Sequence, residues 1–521
     1  MLSKKFDSTD EQETLGSQGA ASLRHLAITV HLCCKRVCCA SWGRCILLLL
    51  LLSGCGVALL VLVGRQPAVP ESIGTNGSPS TTMARQALSE NARHLMSALR
   101  GRSQARDPTT LPLTPGGKVP PIWKPHAATP IYLSFSAFRD GARCARTLGF
   151  ALEKAKHPER LHFRVMQAMD EARDVSCADR FAKEGLPKFC SERSDALACQ
   201  RDVLNRTKIW TIPLEEGMGP AHQRGLLNEL LDSDAPDAFC VTTDSHMDFH
   251  HQWDELTVAD WWSAQNEFAV LTAYPMAMVE NQEKLYARCH VDLCGYFLEA
   301  GIPRGKTGGN LPTNPGDKPY FTMNWAAGLS FHRCHADRNV PVDKYLRYIF
   351  TGEEVDRAVR LWTHGYDLYL PSTTTIYHDY QSAKQDFWNY NVRAQSAGRR
   401  MSRRRLATLL ELDESVAQRL SVEELEPFGL GQQRTLEQWV EWSRVDLGAP
   451  RWKEFLERMG KPPVEAQSAE GRHDFCQTLK RVPVRDVHSL SDSAKSRGLP
   501  PGSDPAASPA KRVGLQLIGE S

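Results

Sequence analysis

From Ile46 to Gly64 the chain reads ILLLLLLSGCGVALLVLVG, nineteen residues without a charged side chain. At about 1.5 Å of rise per residue, a helix of this length crosses a hydrocarbon core of about 30 Å. A helix buried in a globular core is shorter and keeps a polar face. A cleavable leader starts close to Met1, whereas here some forty residues come first. The run is read as a retained signal-anchor at 46–64, behind a tail at 1–45. Lys35, Arg36 and Arg44 precede it and Arg65 alone follows closely. The positive-inside rule then puts the tail in the cytoplasm and everything after Arg65 in a lumen.

A lumen changes how the fifteen cysteines are read. Cys33, Cys34, Cys38, Cys39, Cys45 and Cys55 lie in or beside the span and are candidates for palmitoylation, since no partner set completes a zinc site. The other nine, from Cys144 to Cys476, sit where disulfides form, and their odd number leaves at least one unpaired within the chain. Asn205-Arg206-Thr207 is a glycosylation sequon for such a compartment. The net charge of +2 gives no support to a nucleic-acid partner.

Residues 65–127 are rich in Pro, Ser, Gly and Thr and cannot bury a core, so they read as a flexible stem. At Ile131 the texture changes. IYLSFSA and LHFRVMQ are strand-like, CARTLGFALEKA is helical between them, and a helix over His222–Leu231 precedes the strand AFCVTT at Ala238–Thr243. This alternation predicts an α/β fold, a mixed and mostly parallel sheet flanked by helices, over 128–400. Ligands in such sheets bind beyond the carboxyl ends of the strands. A helical extension over 401–464 and a polar, disordered tail over 465–521 follow. The Gly- and Pro-rich stretch from Leu293 to Asp317 reads as a flexible loop over the site.

Three places carry candidate chemistry. Asp244-Ser245-His246 directly follows the apolar strand AFCVTT, so an acid and an imidazole two positions apart can reach one cation at a strand end. The triplet is weak alone. Its strand context and the sequel Met247-Asp248 and Trp253-Asp254 strengthen it. Glu353 and Glu354 follow Gly352; they suit sugar hydroxyls or a proton, or else a helix start with Thr351 as its cap. His378 ends another strand-like run, LYLPSTTTIY; a lone histidine at such a place is more often a satisfied structural residue than a functional one. Trp325 and Trp362, with Phe331, Tyr366 and Tyr369, lie between these places in sequence and are either core or walls for a sugar ring.

In this order, the segments IYLSFSAFRD, TTDSHMDFHHQWD, FTGEEVDRAVRLWTHGYDLYLPSTTTIYH and PFGLGQQRTLEQWVEWSRVDL, with Gln167 and Gly219-Pro220-x3-Arg224 among them, resemble the polypeptide and protein-hydroxyproline N-acetylglucosaminyltransferases. They are also similar to the mucin-type GalNAc-transferases. The resemblance runs from about Ile131 to Leu447. It implies a GT-A-like catalytic domain, a divalent cation (Mn2+, with Mg2+ as the alternative) on Asp244, His246 and His378, and UDP-GlcNAc as donor. It further implies nucleotide or sugar contacts from Arg139, Asp140, Gln167, Arg224, Trp325 and Trp362, and Glu353 and Glu354 facing the reacting groups. The expected reaction moves GlcNAc, with retention, to a Thr/Ser or hydroxyproline hydroxyl of a Thr/Ser/Pro-rich protein. The expected place is the Golgi membrane as a single-pass type II protein, with the endoplasmic reticulum as the alternative. Competing readings are the same fold with UDP-GalNAc or UDP-Gal, and an inactive sugar-binding membrane protein. A metal-dependent hydrolase would need a cluster such as H-E-x-x-H, which the sequence lacks.

Overall fold

The computed structural model describes residues 124–484 except 232–237, 287–288, 315, 382–386, 413–427 and 465–474, together with 511–512. The apolar run at 46–64, the tail before it, and the stem up to 123 lie outside the described residues. Among the described residues no helix is long and apolar enough to cross a membrane.

Strand β1 (Ile131–Phe138) runs up the centre of the body. Its side chains alternate. Ile131, Leu133, Phe135 and Ala137 join the main core, while Tyr132 points to the opposite face beside Cys240 and Cys334. The chain turns at Arg139-Asp140 into helix α1 (Gly141–Lys154), whose Cys144, Ala145, Leu148, Ala151 and Leu152 face the sheet. Gly141 is required there, since a Cβ would lie 1.8 Å from the Val175 carbonyl oxygen. Strands β2 (Leu161–Met169), β3 (Thr207–Pro213) and β4 (Phe239–Thr243) continue the pattern, with helix α2 (Ala196–Asn205) before β3 and helix α3 (Pro220–Glu229) before β4. β1 pairs in parallel with β2 and β4, and β2 in parallel with β3.

After β4 the order becomes mixed. A short strand β5 (Met247–Phe249) and helix α4 (Trp253–Ser263) lead to β6 (Ala269–Thr272) and β7 (Met276–Ala277). Strands β8 (Cys289–Asp292), β9 (Gly295–Glu299), β10 (Ile302–Lys306) and β11 (Gly309–Pro312) form two antiparallel pairs, β9 with β10 and β8 with β11. β12 (Tyr320–Phe321) and β13 (Leu329–Arg333) return to the main sheet. Helix α5 (Glu353–Thr363), strands β14 (Asp367–Leu370) and β15 (Ile376–His378), and helices α6 (Val392–Leu410), α7 (Leu436–Ser443) and α8 (Pro450–Arg458) complete the body. The main sheet runs β12-β14-β6-β13-β4-β1-β2-β3, with Lys511–Arg512 antiparallel beyond β3, and a second sheet runs β5-β15-β7.

Helices α1 and α4 cover one face of the main sheet, and α3 and α5 the other; Leu227 of α3 packs on Met166 and Trp210, and Leu361 of α5 on Val270 and Leu368. The fold is therefore mixed α/β, helices on both faces. β13 is antiparallel to both β4 and β6, so the parallel array that the alternation of strands and helices predicts is confined to β4-β1-β2-β3, with β14 and β6 a separate parallel pair beyond β13.

Three expectations need correction. The apparent strand LYLPSTTTIY is two strands in two sheets, divided at Pro371, which has no N–H for a ladder. Leu293–Asp317 is not one flexible loop, because it holds β9, β10 and β11. The tail is not disordered from 465 onward, since residues 475–484 fold onto the body. Cys476 is bonded to Cys294, Arg481 Nε donates to Asp367 Oδ2 at 2.7 Å, and Phe475 and Val484 are buried. The remaining bridges are Cys144–Cys177, Cys190–Cys199 and Cys240–Cys334, leaving Cys289 free.

Candidate functional site

All five residues of β4 are buried, so the strand is rigid up to the point where Asp244 leaves it. Thr243 Oγ1 donates to the Gly328 carbonyl at 2.8 Å and fixes that exit. Gly328 allows the close approach beneath it, for a Cβ there would lie 2.6 Å from Pro275. His246 stands at the entry to β5. His378 ends β15, which pairs with β5 in a register that sets His378 opposite Met247. Two strands of the small sheet thus bring together residues 132 positions apart. Ligand atoms of Asp244, His246 and His378 all lie within 4.8 Å of one another. Asp244 Oδ2 is 3.3 Å from His378 Nε2, and the two imidazoles meet edge to face at 4.6 Å between centroids.

The surroundings fix each of the three. Asp140, at the carboxyl end of β1, has its Oδ2 3.2 Å from His246 Nδ1 and accepts from Ser245 Oγ at 3.1 Å, while Arg143 Nε donates to its Oδ1 at 2.8 Å. Burial raises the Asp140 carboxyl, but the His246 and Arg143 hydrogen bonds outweigh it and hold the group below its ordinary range. With His246 Nδ1–H donating to that carboxylate, Nε2 carries the free lone pair. Burial also works against the charged form of Asp244. The His378 hydrogen bond and the Arg224 charge overcome it and keep Asp244 ionised far below the usual carboxylate range.

Arg224, on α3, is nearly inaccessible and donates through Nη2 to Asp244 Oδ1 and through Nη1 to Glu353 Oε1, both at 2.8 Å. Glu353 and Glu354 open α5. Gly352 caps it at φ +127°, where a Cβ would meet Leu406 of α6 at 2.3 Å. Thr351 is not the cap, since its hydroxyl donates to Glu299. The paired acids have separate fates. Glu353 is buried against Arg224. Glu354 is partly accessible, accepts from Tyr274 Oη at 2.5 Å and from the Ala327 amide at 3.3 Å, and is pushed up to about 7, chiefly by burial.

A cleft of about 580 Å³ opens over this cluster, with Asp140, Asp244, His246 and His378 on its floor. Its rim is aromatic. Phe138 meets Phe387 at 5.0 Å, and Trp388 meets Phe350 at 5.7 Å. Neither Tyr274 nor this rim was among the residues expected from sequence. Arg143 is the missed residue with a legible signal, lying three positions after Asp140 on α1.

Of the six expected contact residues only Asp140 lines the cleft; Arg224, Glu353 and Glu354 lie behind its lining, and the other four are spent elsewhere. Arg139 takes φ +57°, and its guanidinium turns to Asp174, Nε donating to Oδ2 at 2.9 Å. Gln167 is spent within the fold, donating to the Val175 carbonyl and accepting from the Cys177 amide. Trp325 is buried with Nε1 donating to Ser330 Oγ at 2.8 Å. Trp362 is fully buried against Trp442 and beneath Arg434. Both tryptophans are core. Asp248 and Asp254 are structural too: Asp248 pairs with Lys154, and Asp254 accepts from Arg160 and the amides of Lys156 and His157.

No curated protein matches the chain. Among solved structures it is similar to GalNAc-T7 with UDP, GalNAc and Mn2+ (12% identity, TM-score 0.35), the match covering 66% of this chain and 56% of that one. It is similar also to the mannosyltransferase PcManGT from Pyrobaculum calidifontis with GDP-Man and Mn2+ (11%, TM-score 0.31, 74% and 88% covered). A third is S. aureus TarS 1–349 with UDP-GlcNAc (10%, TM-score 0.31, 67% and 90%). Residues 130–449 match the family described as Glycosyltransferase (GlcNAc). That stretch holds every element that builds the cleft, and the chain belongs to this family of glycosyltransferases.

Proposed function

We propose that the cleft transfers GlcNAc from UDP-GlcNAc to a Thr/Ser or hydroxyproline hydroxyl of a protein, with retention, using a divalent cation, Mn2+ before Mg2+. The observation that carries this reading is the convergence of Asp244, His246 and His378 at the carboxyl end of β4, beneath the cleft. The donor set fits a divalent cation: one carboxylate kept ionised and two imidazoles, one with its tautomer set by Asp140. His378 Nδ1 is buried with no hydrogen-bond partner among the described residues. Asp244, His246 and His378 would hold the ion. A cation bound there supplies positive charge to the diphosphate of the leaving group.

The chain's own residues do the rest by position. Arg224 orients Asp244 and neutralises Glu353, so Glu353 acts through Arg224 and not on the sugar. Glu354 lies behind the cleft's lining, where it accepts from Tyr274 and the Ala327 amide and steadies the start of α5. Neither acid is assigned as a nucleophile: Glu353 is committed to Arg224, and the leaving phosphate can itself take the acceptor's proton. The aromatic rim offers flat faces to a base or a sugar ring and keeps bulk water from the reacting centre. The apolar run at 46–64 supports a type II arrangement in the Golgi membrane with the cleft on the lumenal side.

The test is UDP release by the purified full-length chain in detergent, with Mn2+ and a panel of UDP-sugars, with and without a Thr-rich peptide. The reading expects release from UDP-GlcNAc, abolished by chelator and increased by peptide. Release from UDP-GalNAc or UDP-Gal instead would overturn the donor. No release by a folded chain would favour an inactive sugar-binding protein.

A further inference from the structure

Helix α6 carries six arginines, at 393, 399, 400, 403, 404 and 405, and not one acidic residue. The chain as a whole is nearly balanced at +2. Exposed helix faces are usually stabilised by opposite charges three or four positions apart, and like charges at that spacing repel. Here Arg399–Arg403 and Arg400–Arg403 are such like pairs.

Three of the six are engaged elsewhere: Arg404 has a partner of its own, and Arg399 and Arg405 are part of the fold. Arg405 is buried and its Nε donates to Asp343 Oδ2 at 2.5 Å. Arg399 donates to the Tyr348 carbonyl at 3.2 Å and lies 5.7 Å over the Trp388 ring. Arg393, Arg400 and Arg403 are exposed, and none forms an ion pair with another described residue. They share one side of the helix over about 15 Å. Arg403 is close enough to Glu299 for its charge to be felt there, but Glu299 already serves Arg304 and Thr351.

The place of α6 gives this charge its meaning. Gly398 sits so close to the Tyr348 ring that a Cβ would be 2.3 Å from it, and Leu406 closes on Gly352 at the start of α5. The helix is thereby held rigidly against the loop that bears Phe350. Phe350, 55% exposed, and Trp388 line the cleft, and Arg399 covers Trp388. The basic face therefore continues the cleft's aromatic rim outward.

Resting on the proposed transfer to a protein hydroxyl, we infer that this face recognises the acceptor: a polypeptide segment with Asp or Glu residues to one side of the reacting hydroxyl. A guanidinium fork pairs with a carboxylate through two parallel hydrogen bonds, and such pairs relieve the repulsion along α6. An acceptor defined only by Thr, Ser and Pro would offer no carboxylate to these three arginines, which form no ion pair among the described residues.

The experiment uses the full-length chain in detergent and two fluorescein-labelled peptides with the same central Thr, one flanked by Asp and Glu and the other by Gln. Anisotropy reads binding without turnover, and UDP release without peptide reads the donor half of the reaction separately. The wild type binds the acidic peptide more tightly, with an advantage that falls as salt rises. The Arg393→Ala/Arg400→Ala/Arg403→Ala chain loses about tenfold in affinity and raises KM for the acidic peptide to match, exposed ion pairs being individually weak. Its kcat, its binding of the Gln peptide and its peptide-free UDP release stay unchanged. Replacement of all three by Lys restores most of the affinity. Equal binding of the two peptides by the wild type overturns the inference, as does an unaltered triple variant. So does a triple variant that loses binding only to phosphatidylserine-containing vesicles, which would assign the face to a membrane surface. Absence of UDP release from UDP-GlcNAc overturns the donor reading and leaves the anisotropy comparison to decide the inference.

Discussion

Replacing Arg224 with Met keeps most of the side chain's volume and removes the cation between Glu353 and Asp244. Removing one partner of a buried ion pair costs about 3–5 kcal/mol, because the other charge stays buried and unpaired. Arg224 and Glu353 are each 5% exposed, so their half of the triad meets that condition. Asp244 is 28% exposed and keeps His378 nearby, so its share is smaller. The expected loss is about 3–4 kcal/mol, read by urea unfolding of the oxidised chain, with a thermal midpoint lower by roughly 4–5 °C for a body of this size. A second change, Glu353→Gln, deletes the charge that Arg224→Met strands. The double variant should therefore be more stable than the sum of the two single losses, by about 1.5–2 kcal/mol. Additivity within about 0.5 kcal/mol would refute the reasoning, because it would mean that Arg224 and Glu353 do not depend on one another.

Asp244→Asn should lower turnover by on the order of a hundredfold or more and weaken the dependence on added Mn2+, read by UDP release across a metal titration. Asp140→Ala should weaken Mn2+ binding about 10- to 100-fold in an electron paramagnetic resonance titration, with excess metal recovering much of the activity. Burial raises the folded pKa of Glu354 from 4.5 to about 7, so the folded chain holds this proton more tightly than the unfolded chain. Its contribution to stability is complete below pH 4.5 and is lost as the pH rises through 7; Glu354→Gln should flatten that part of the stability curve. Cys476→Ser removes a bridge across a separation of 182 residues and should cost up to about 5 kcal/mol, with new protease cleavage at 475–484 in limited digestion.

The parts of the fold that could be read from sequence are those whose neighbours in space are also neighbours in the chain. β1, its turn and α1 follow from period-two and helical patterns, and so does the buried β4 with an acid at its end. His246 lies two residues from Asp244 and could be paired with it at once. His378 was within reach only through the family resemblance, since the register of β15 against β5 is not written in either segment. The aromatic residues misled for a physical reason: a tryptophan that fills a core and one that stacks on a sugar have the same chemistry, and Trp325 and Trp362 turned out to fill. Arg139 and Asp140 were equally polar and adjacent, but the left-handed backbone at 139 sends one to Asp174 and leaves the other at the cleft. The fold of 475–484 was hidden because a covalent bond and Arg481 hold a segment whose composition resembles its polar surroundings.

The four disulfides differ in how much of the chain must exist before each can form. Cys190 and Cys199 are nine residues apart, and Cys144 and Cys177 thirty-three, so both bridges can close while most of the polypeptide is still being made. Cys240 must wait for Cys334, and Cys294 for Cys476, a separation of 182 residues. Biosynthesis therefore has a built-in last stitch. A chain released before residue 476 can carry the cleft's principal side chains but lacks the partner for Cys294, which then stays a thiol open to other partners during quality control.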